Sequence, residues 1–197
     1  MRRSKAEAAQ TRERIVATAA RAFRAHGING IGVADLMREA GLTHGGFYKH
    51  FPSKEALVAE ACAQALTQSC GGLAEIARRA PAGRKLAAVV EAYLSAQHRD
   101  HPENGCAIAA LGAEAARAEA AARQAIGDGL ERLRAVVAEQ LVVDSPEEAA
   151  AKAGAIVSAM IGALTVARLE TDPARSEAVL AQARAFILAS VGPGGSK

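Results

Sequence analysis

The sequence predicts an all-α chain, and three observations carry that prediction. Half of its 197 residues are apolar, yet only six are Phe or Tyr and none is Trp. Alanine and leucine must therefore fill the core, which suits closely packed helices better than a sheet of β-branched and aromatic residues. Apolar positions recur at helical spacing along the chain, no sustained period-2 alternation replaces it, and Gly and Pro punctuate the pattern at helix-length intervals.

Each element follows in order. Ile15, Ala19, Ala22, Phe23 and His26 share one face of a first helix, which stops at Gly27. A short helix from about Val33 to Ala40 buries Val33, Leu36, Met37 and Ala40, and Gly41 ends it by taking the left-handed conformation without penalty. Thr43 is placed to cap a third helix running to about His50. Pro52-Ser53-Lys54-Glu55 opens a fourth, with Ser53 as N-cap and Leu57, Ala61 and Leu66 on its apolar face, continuing to about Arg78. Gly71 and Gly72 are expected to kink or split it. Beyond a break at Pro81-Ala82-Gly83, helices are expected near 84–98, 105–117, 119–142, 146–170 and 174–190, about nine in all. The loops between them contain Pro102, Pro146 and Pro173. The resulting division is a helix-turn-helix head (1–52), a helical body (53–192, with 53–78 as connecting helix) and a frayed tail (193–197).

Charge is distributed unevenly. Residues 1–55 hold ten Lys or Arg against five acids, and residues 56–197 hold fourteen against sixteen. A small basic module on a near-neutral body suits a phosphate-binding head. Three cysteines, Cys62, Cys70 and Cys106, are too few and too scattered for a disulfide scaffold. The N-terminus has no apolar signal core, and the longest uncharged run, Ala153 to Ala167, is shorter than a bilayer span. These features predict a cytoplasmic chain without membrane attachment.

Three short helices joined by tight turns match the helix-turn-helix plan, whose last helix enters the major groove. Phe47 and Phe51, four apart, would anchor that helix, while Thr43, His44, Gly46 and Lys49 face the groove. Tyr48 and His50 can donate to phosphate oxygens. Lys54 lies on the first turn of the next helix, whose N-terminus is itself an anion site. Arg2, Arg3 and Lys5 are placed to reach the DNA backbone or minor groove.

The segment from Thr11 to about Leu66 resembles the DNA-binding domain of the tetracycline-repressor (TetR) family. The resemblance rests on an ordered series: Thr11-Arg12-Glu13-Arg14-Ile15, Phe23 and Gly27, Val33-Ala34-Asp35-Leu36, Glu39-Ala40-Gly41-Leu42, Gly45-x-Phe47-Tyr48-x-His50-Phe51 and Pro52-Ser53-Lys54-Glu55-Ala56-Leu57. It implies phosphate contacts from Tyr48, His50 and Lys54, backbone approach at Gly45, and a homodimer on a palindromic double-stranded operator. It also implies a small-molecule effector pocket in the C-terminal domain; no cofactor is expected. Three positions depart from the family pattern. Gly32 stands where Ser or Thr is common, His44 where Lys is frequent, and Gly46 where Ser or Thr often reaches a base. Gly45 and Gly46 together cost a helix roughly 1–2 kcal/mol relative to alanines, so a loose recognition helix is expected. Base reading then falls to Thr43, His44 and Lys49.

In the body, the uncharged run carries Gly154, Ser158 and Gly162 at intervals of four beside Ile156, Val157, Met160, Ile161 and Leu164, and must be covered on all sides. The last helix offers Val179, Leu180, Ala183, Phe186 and Ile187. The family joins two subunits through such a pair, which implies an interface containing Ile156, Met160, Leu164, Val179 and Phe186. A central helix of a monomeric bundle would show the same periodicity. The effector pocket is expected between head and seam, with Cys62, Leu66, Tyr93, Gln97 and Cys106 as its candidates. Tyr93 and Cys106 come first, as polar points in an apolar lining. Cys106 near a helix N-terminus also suits a sensor thiol, against the commoner inert buried cysteine. His98, His101, Glu103 and Cys106 lack metal-ligand spacing. No nucleotide loop, Gly-x-Ser-x-Gly or His-Glu-x-x-His motif supports an enzyme in a helical shell. The leading function is a sequence-specific DNA-binding transcriptional regulator, a repressor released by its effector. An enzyme or an effector-free architectural DNA binder is the alternative.

Overall fold

A computed structural model describes residues 5–192; Arg2, Arg3 and the tail at 193–197 lie outside the described residues. The described residues form nine α-helices and two short 3-10 helices. The head is α1 (Lys5–His26), α2 (Val33–Glu39) and a 3-10 helix, His44–Lys49. Gly27, at φ +81°, turns the chain out of α1. α2 closes with a paired C-cap, Gly41 N–H donating to the Arg38 carbonyl at 2.9 Å and Leu42 N–H to Met37 at 2.8 Å. That is the arrangement a glycine in the left-handed region makes possible.

α3 (Lys54–Arg79) starts as expected, Ser53 Oγ accepting from Ala56 N–H at 3.2 Å. It does not split at Gly71-Gly72. Both glycines are exposed, while Ala65, Leu66, Cys70, Leu73 and Ala77 are buried on the helix's other side. Packing of that face holds the helix through two poor helix formers. The main partner is α7 (Ala120–Ala138). Their approach is set by Gly129, where a Cβ would sit 2.2 Å from Leu66 Cδ1.

One helix was expected at 84–98, and two are found: α4 (Lys85–Tyr93) and α5 (Ala96–Asp100). The break is chemical. Ser95 Oγ accepts the His98 N–H at 3.2 Å, and His98 Nδ1 bonds the Tyr93 carbonyl at 2.7 Å. Side chains thus take over groups the helix would have used. A 3-10 turn (Pro102–Asn104) leads to α6 (Ala107–Ala115). α8 (Pro146–Leu169) and α9 (Pro173–Val191) each open with a capping side chain and proline, Ser145-Pro146 and Asp172-Pro173. By length and composition α8 could cross a membrane. Here it packs against α9, α7, α6 and α5. A single buried apolar cluster runs from Ile15 in the head to Ile187 in α9.

Candidate nucleic-acid interface and ligand cavity

The recognition segment is built from its anchors outward. Phe47 and Phe51 are 0 % and 1 % exposed and stack at 5.7 Å between centroids, fixing the segment to the head. Thr43, His44, Gly45, Tyr48 and Lys49 are left exposed, with Gly46 and His50 half-buried. The segment is a 3-10 helix rather than the expected α-helix, and Thr43 makes no side-chain cap. Two adjacent glycines remove the propensity that would favour α-helical winding. Tyr48, 67 % exposed, meets Phe47 edge-on at 5.2 Å and carries its hydroxyl outward.

Lys54 behaves differently from its neighbours. Its Nζ donates to the Ile31 carbonyl at 2.7 Å and lies 5.9 Å from the Phe23 ring. It therefore ties the start of α3 to the segment entering α2, and any phosphate contact must use its remaining N–H donors. Arg12, in the first family marker, pairs with Glu60 of α3 and lies 4.6 Å over the Phe51 ring. Sequence reasoning did not foresee that brace.

Two further contacts join the head to the ends of α6. Arg24 of α1 is 7 % exposed, and its Nη1 donates to the Gly105 carbonyl at 2.6 Å. Glu114, on the last turn of α6, accepts the Ile28 N–H at 2.9 Å. A Cβ at Gly27 would sit 2.7 Å from the Glu114 carboxylate. Gly27 thus serves both the turn and the clasp.

Next to the first contact lies a cavity of about 390 Å³. Of the residues expected to bind an effector, Tyr93, Gln97 and Cys106 line it. Cys62 and Leu66 do not. Cys62, 1 % exposed, lies against α1 with Ala20 and Phe23, and Leu66 is spent on Gly129. Cys70, another polar residue that interrupts the body's apolar faces, also lines the cavity, and Arg21, Arg24, Ser69 and His98 line it without having been anticipated as its wall. Arg24 could have been flagged only as a charge one position beyond the apolar stripe ending at Phe23.

His98 organises the wall. Its Nε2 accepts the Cys106 N–H at 2.9 Å, so Nδ1 carries the proton donated to Tyr93. Burial lowers the pKa of this imidazole, helped by Arg168 and Arg24 and opposed by the Tyr93 carbonyl. A Cβ at Gly105 would lie 2.5 Å from the His98 ring, so that position needs glycine. With both ring nitrogens engaged, His98 has none left for a metal, and no group of three or more potential metal ligands occurs among the described residues. Burial pushes the Cys62 and Cys70 thiols up to about 11, away from reactive thiolate character. Cys106 is buried, at 3 % exposure. The Tyr93 hydroxyl is buried without a hydrogen bond of ordinary geometry. Burial first, then the neighbouring Cys106, raises its pKa well above the usual value.

The seam residues separate into two sets. Ile156, Met160 and Leu164, expected at the dimer interface, are 4 %, 0 % and 0 % exposed within the chain's own core. They turn inward because α8 needs one apolar face to bind its own bundle. Val179 is half-buried, and Phe186 stands 71 % exposed. The outward side of α8 is instead Ala155, Ser158, Gly162, Val166 and Leu169, the last 76 % exposed.

A helix-turn-helix head with an exposed polar recognition segment, on an all-helical body, defines a DNA-binding transcriptional regulator. Residues 15–61 match the model of bacterial regulatory proteins of the tetR family, and residues 82–183 match the C-terminal domain of LmrA/YxaF-like transcriptional regulators. The chain belongs to the tetR family. An uncharacterized HTH-type transcriptional regulator of Bacillus subtilis, YerO, is 32 % identical over 91 residues, 46 % of this chain and 31 % of that protein. The HTH-type transcriptional repressor BepR of Brucella suis is 44 % identical over 54 residues, 27 % of this chain and 26 % of that protein. These matches thus span less than a third of the relatives' own length. The crystal structure of Escherichia coli NemR in its reduced form superposes with a TM-score of 0.76 at 22 % identity, covering 90 % of this chain and 95 % of that one.

Proposed function

We propose that the chain is a homodimeric repressor that leaves its palindromic operator when a small, largely apolar effector enters the cavity. The observation that carries this reading is the shared wall. Arg24, Gly105 and Cys106 line the cavity, and the same Arg24–Gly105 contact ties α1 of the head to the start of α6. The far end of α6 holds the head again through Glu114. A ligand that shifts this nine-residue helix therefore shifts the head. The repressor name of BepR, whose match lies in the short segment shared with this chain, supports the direction of control.

Thr43, His44 and Lys49 then read bases, and Tyr48 and His50 bind phosphates, beside backbone approach at Gly45 and Gly46. Lys54 positions α2 as well as contributing charge. The second copy docks on the outward side of α8 and on Phe186 of α9. The cavity speaks against an effector-free architectural binder. Selection of DNA from a random pool, followed by anisotropy titration, tests the reading. A palindrome should emerge, Thr43→Ala or His44→Ala should change the preferred sequence, and Tyr48→Phe should weaken all sequences alike. Enrichment of no sequence at all would defeat it.

A further inference from the structure

We infer that the cavity selects an apolar molecule carrying one anionic oxygen group, and that Arg24 reads this group at the seam between head and body. The inference rests on the ligand-released reading above and specifies its ligand. Arg24 is buried, yet its partners are carbonyls only: Ala20 at 2.8 Å and Gly105 at 2.6 Å. Behind burial and the Cys106 and Cys62 thiols, Glu103 is the one carboxylate acting on it. That carboxylate is turned toward His101 and Asn104, each at 3.2 Å. Arg21 lines the same cavity. Arg168 lies behind it, holding the carbonyls of Arg99 and His98 at 3.1 and 2.7 Å. No Asp or Glu is among the lining residues. A buried guanidinium without a carboxylate is an incomplete ion pair.

An independent observation points the same way. The Tyr93 hydroxyl, on a side chain 2 % exposed, makes no hydrogen bond of ordinary geometry in the wall of this cavity, where its polar neighbour is the weakly bonding Cys106 thiol. Buried hydroxyls are normally satisfied, and this one can donate to an acceptor oxygen on a bound molecule. Leu73, Ile76, Ala92 and Leu133 supply apolar lining for the rest of it. A volume near 390 Å³ lies at the small end of drug-sized sites.

The same geometry gives the anion a lever. The Gly105 carbonyl accepts from Ser69 Oγ at 3.3 Å as well as from Arg24. When Arg24 swings to an anion, that carbonyl keeps a partner, and the head loses one of its two clasps to α6. Binding of the charge and loosening of the head are one event.

The test uses acid and primary-amide pairs on shared skeletons, 2-naphthoate with 2-naphthamide and decanoate with decanamide, titrated into the full chain by calorimetry. At least one acid should bind about tenfold or more tighter than its amide, through charge-assisted hydrogen bonds. Arg24→Gln should erase the preference, and Arg24→Lys should keep part of it. Should Arg24→Gln fail to fold, Tyr93→Phe, which removes a hydroxyl without a hydrogen bond of ordinary geometry, must still weaken the acid several-fold. The bound acid should also lower affinity for the selected DNA. Amides binding as well as acids, no acid binding, or acids binding equally to Arg24→Gln would each overturn the inference. An amide that binds and releases DNA would do so while leaving the ligand-released repressor standing. Acids that bind through Arg24 yet leave DNA affinity unchanged would confirm the anion site and overturn both the lever and the release.

Discussion

At the scale of single residues, the body depends on two close approaches, Gly129 on Leu66 and Gly105 on the His98 ring, and on that imidazole staying neutral. Gly129 lets α7 lie against Leu66, so Gly129→Ala should cost about 1–3 kcal/mol through overpacking. Urea unfolding would show this as a lower midpoint at unchanged slope. His98 has a folded-state pKa below its ordinary 6.5. Below that pH the unfolded chain takes up a proton that the folded chain refuses, so stability falls with acidification, by up to about 1.4 kcal/mol per pH unit. Comparing unfolding at pH 7.5 and 5.5 should reveal the loss, and His98→Gln should flatten it. A His98→Gln profile as steep as that of the native chain would assign the loss to other groups.

At the scale of elements, the recognition segment is a 3-10 helix because Gly45 and Gly46 withhold helix propensity. Neither site is crowded: a Cβ at Gly45 meets nothing within 4 Å, and one at Gly46 comes no closer than 3.7 Å to Met37. Each glycine-to-alanine change should therefore stabilise the head by about 0.5–1 kcal/mol. Thermal unfolding of the single and double variants checks this, and a lower Tm in either would contradict it. The head was largely legible because its signals are local: Ser53 before α3, Gly41 after α2, Phe47 and Phe51 four apart. The body was less so. Leu94 ends α4 because of a histidine four residues on and a serine cap, and periodicity does not register such competition. Gly71-Gly72 looked like a break because propensity cannot weigh the packing on α7. In the site, Tyr93, Gln97 and Cys106, named from the sequence, line the cavity. Arg24 was invisible there because its role depends on Gly105, 81 positions away.

At the scale of the molecule, periodicity could tell that α8 is apolar all round but not which side meets its own bundle. Ile156, Met160 and Leu164 are the inner side, and the outer side is small residues ending in Val166 and Leu169, beside Phe186 on α9. A second copy on this surface would remove those side chains from water. Phe186→Glu should then convert dimer to monomer with helical content intact, read by sedimentation and circular dichroism. A dimer that survives the change would move the interface elsewhere.

The clasp between Gly27 and Glu114 has a practical consequence for building hybrid regulators. A chimera that grafts residues 5–53 of this chain onto a related body carries Gly27 and the Ile28 N–H but leaves Glu114 behind. A head taken from elsewhere, with a side chain where Gly27 stands, would drive a Cβ into that carboxylate. Interchangeable heads thus require the pair to travel together, so the working boundary between the two modules runs through α6 as well as through α3.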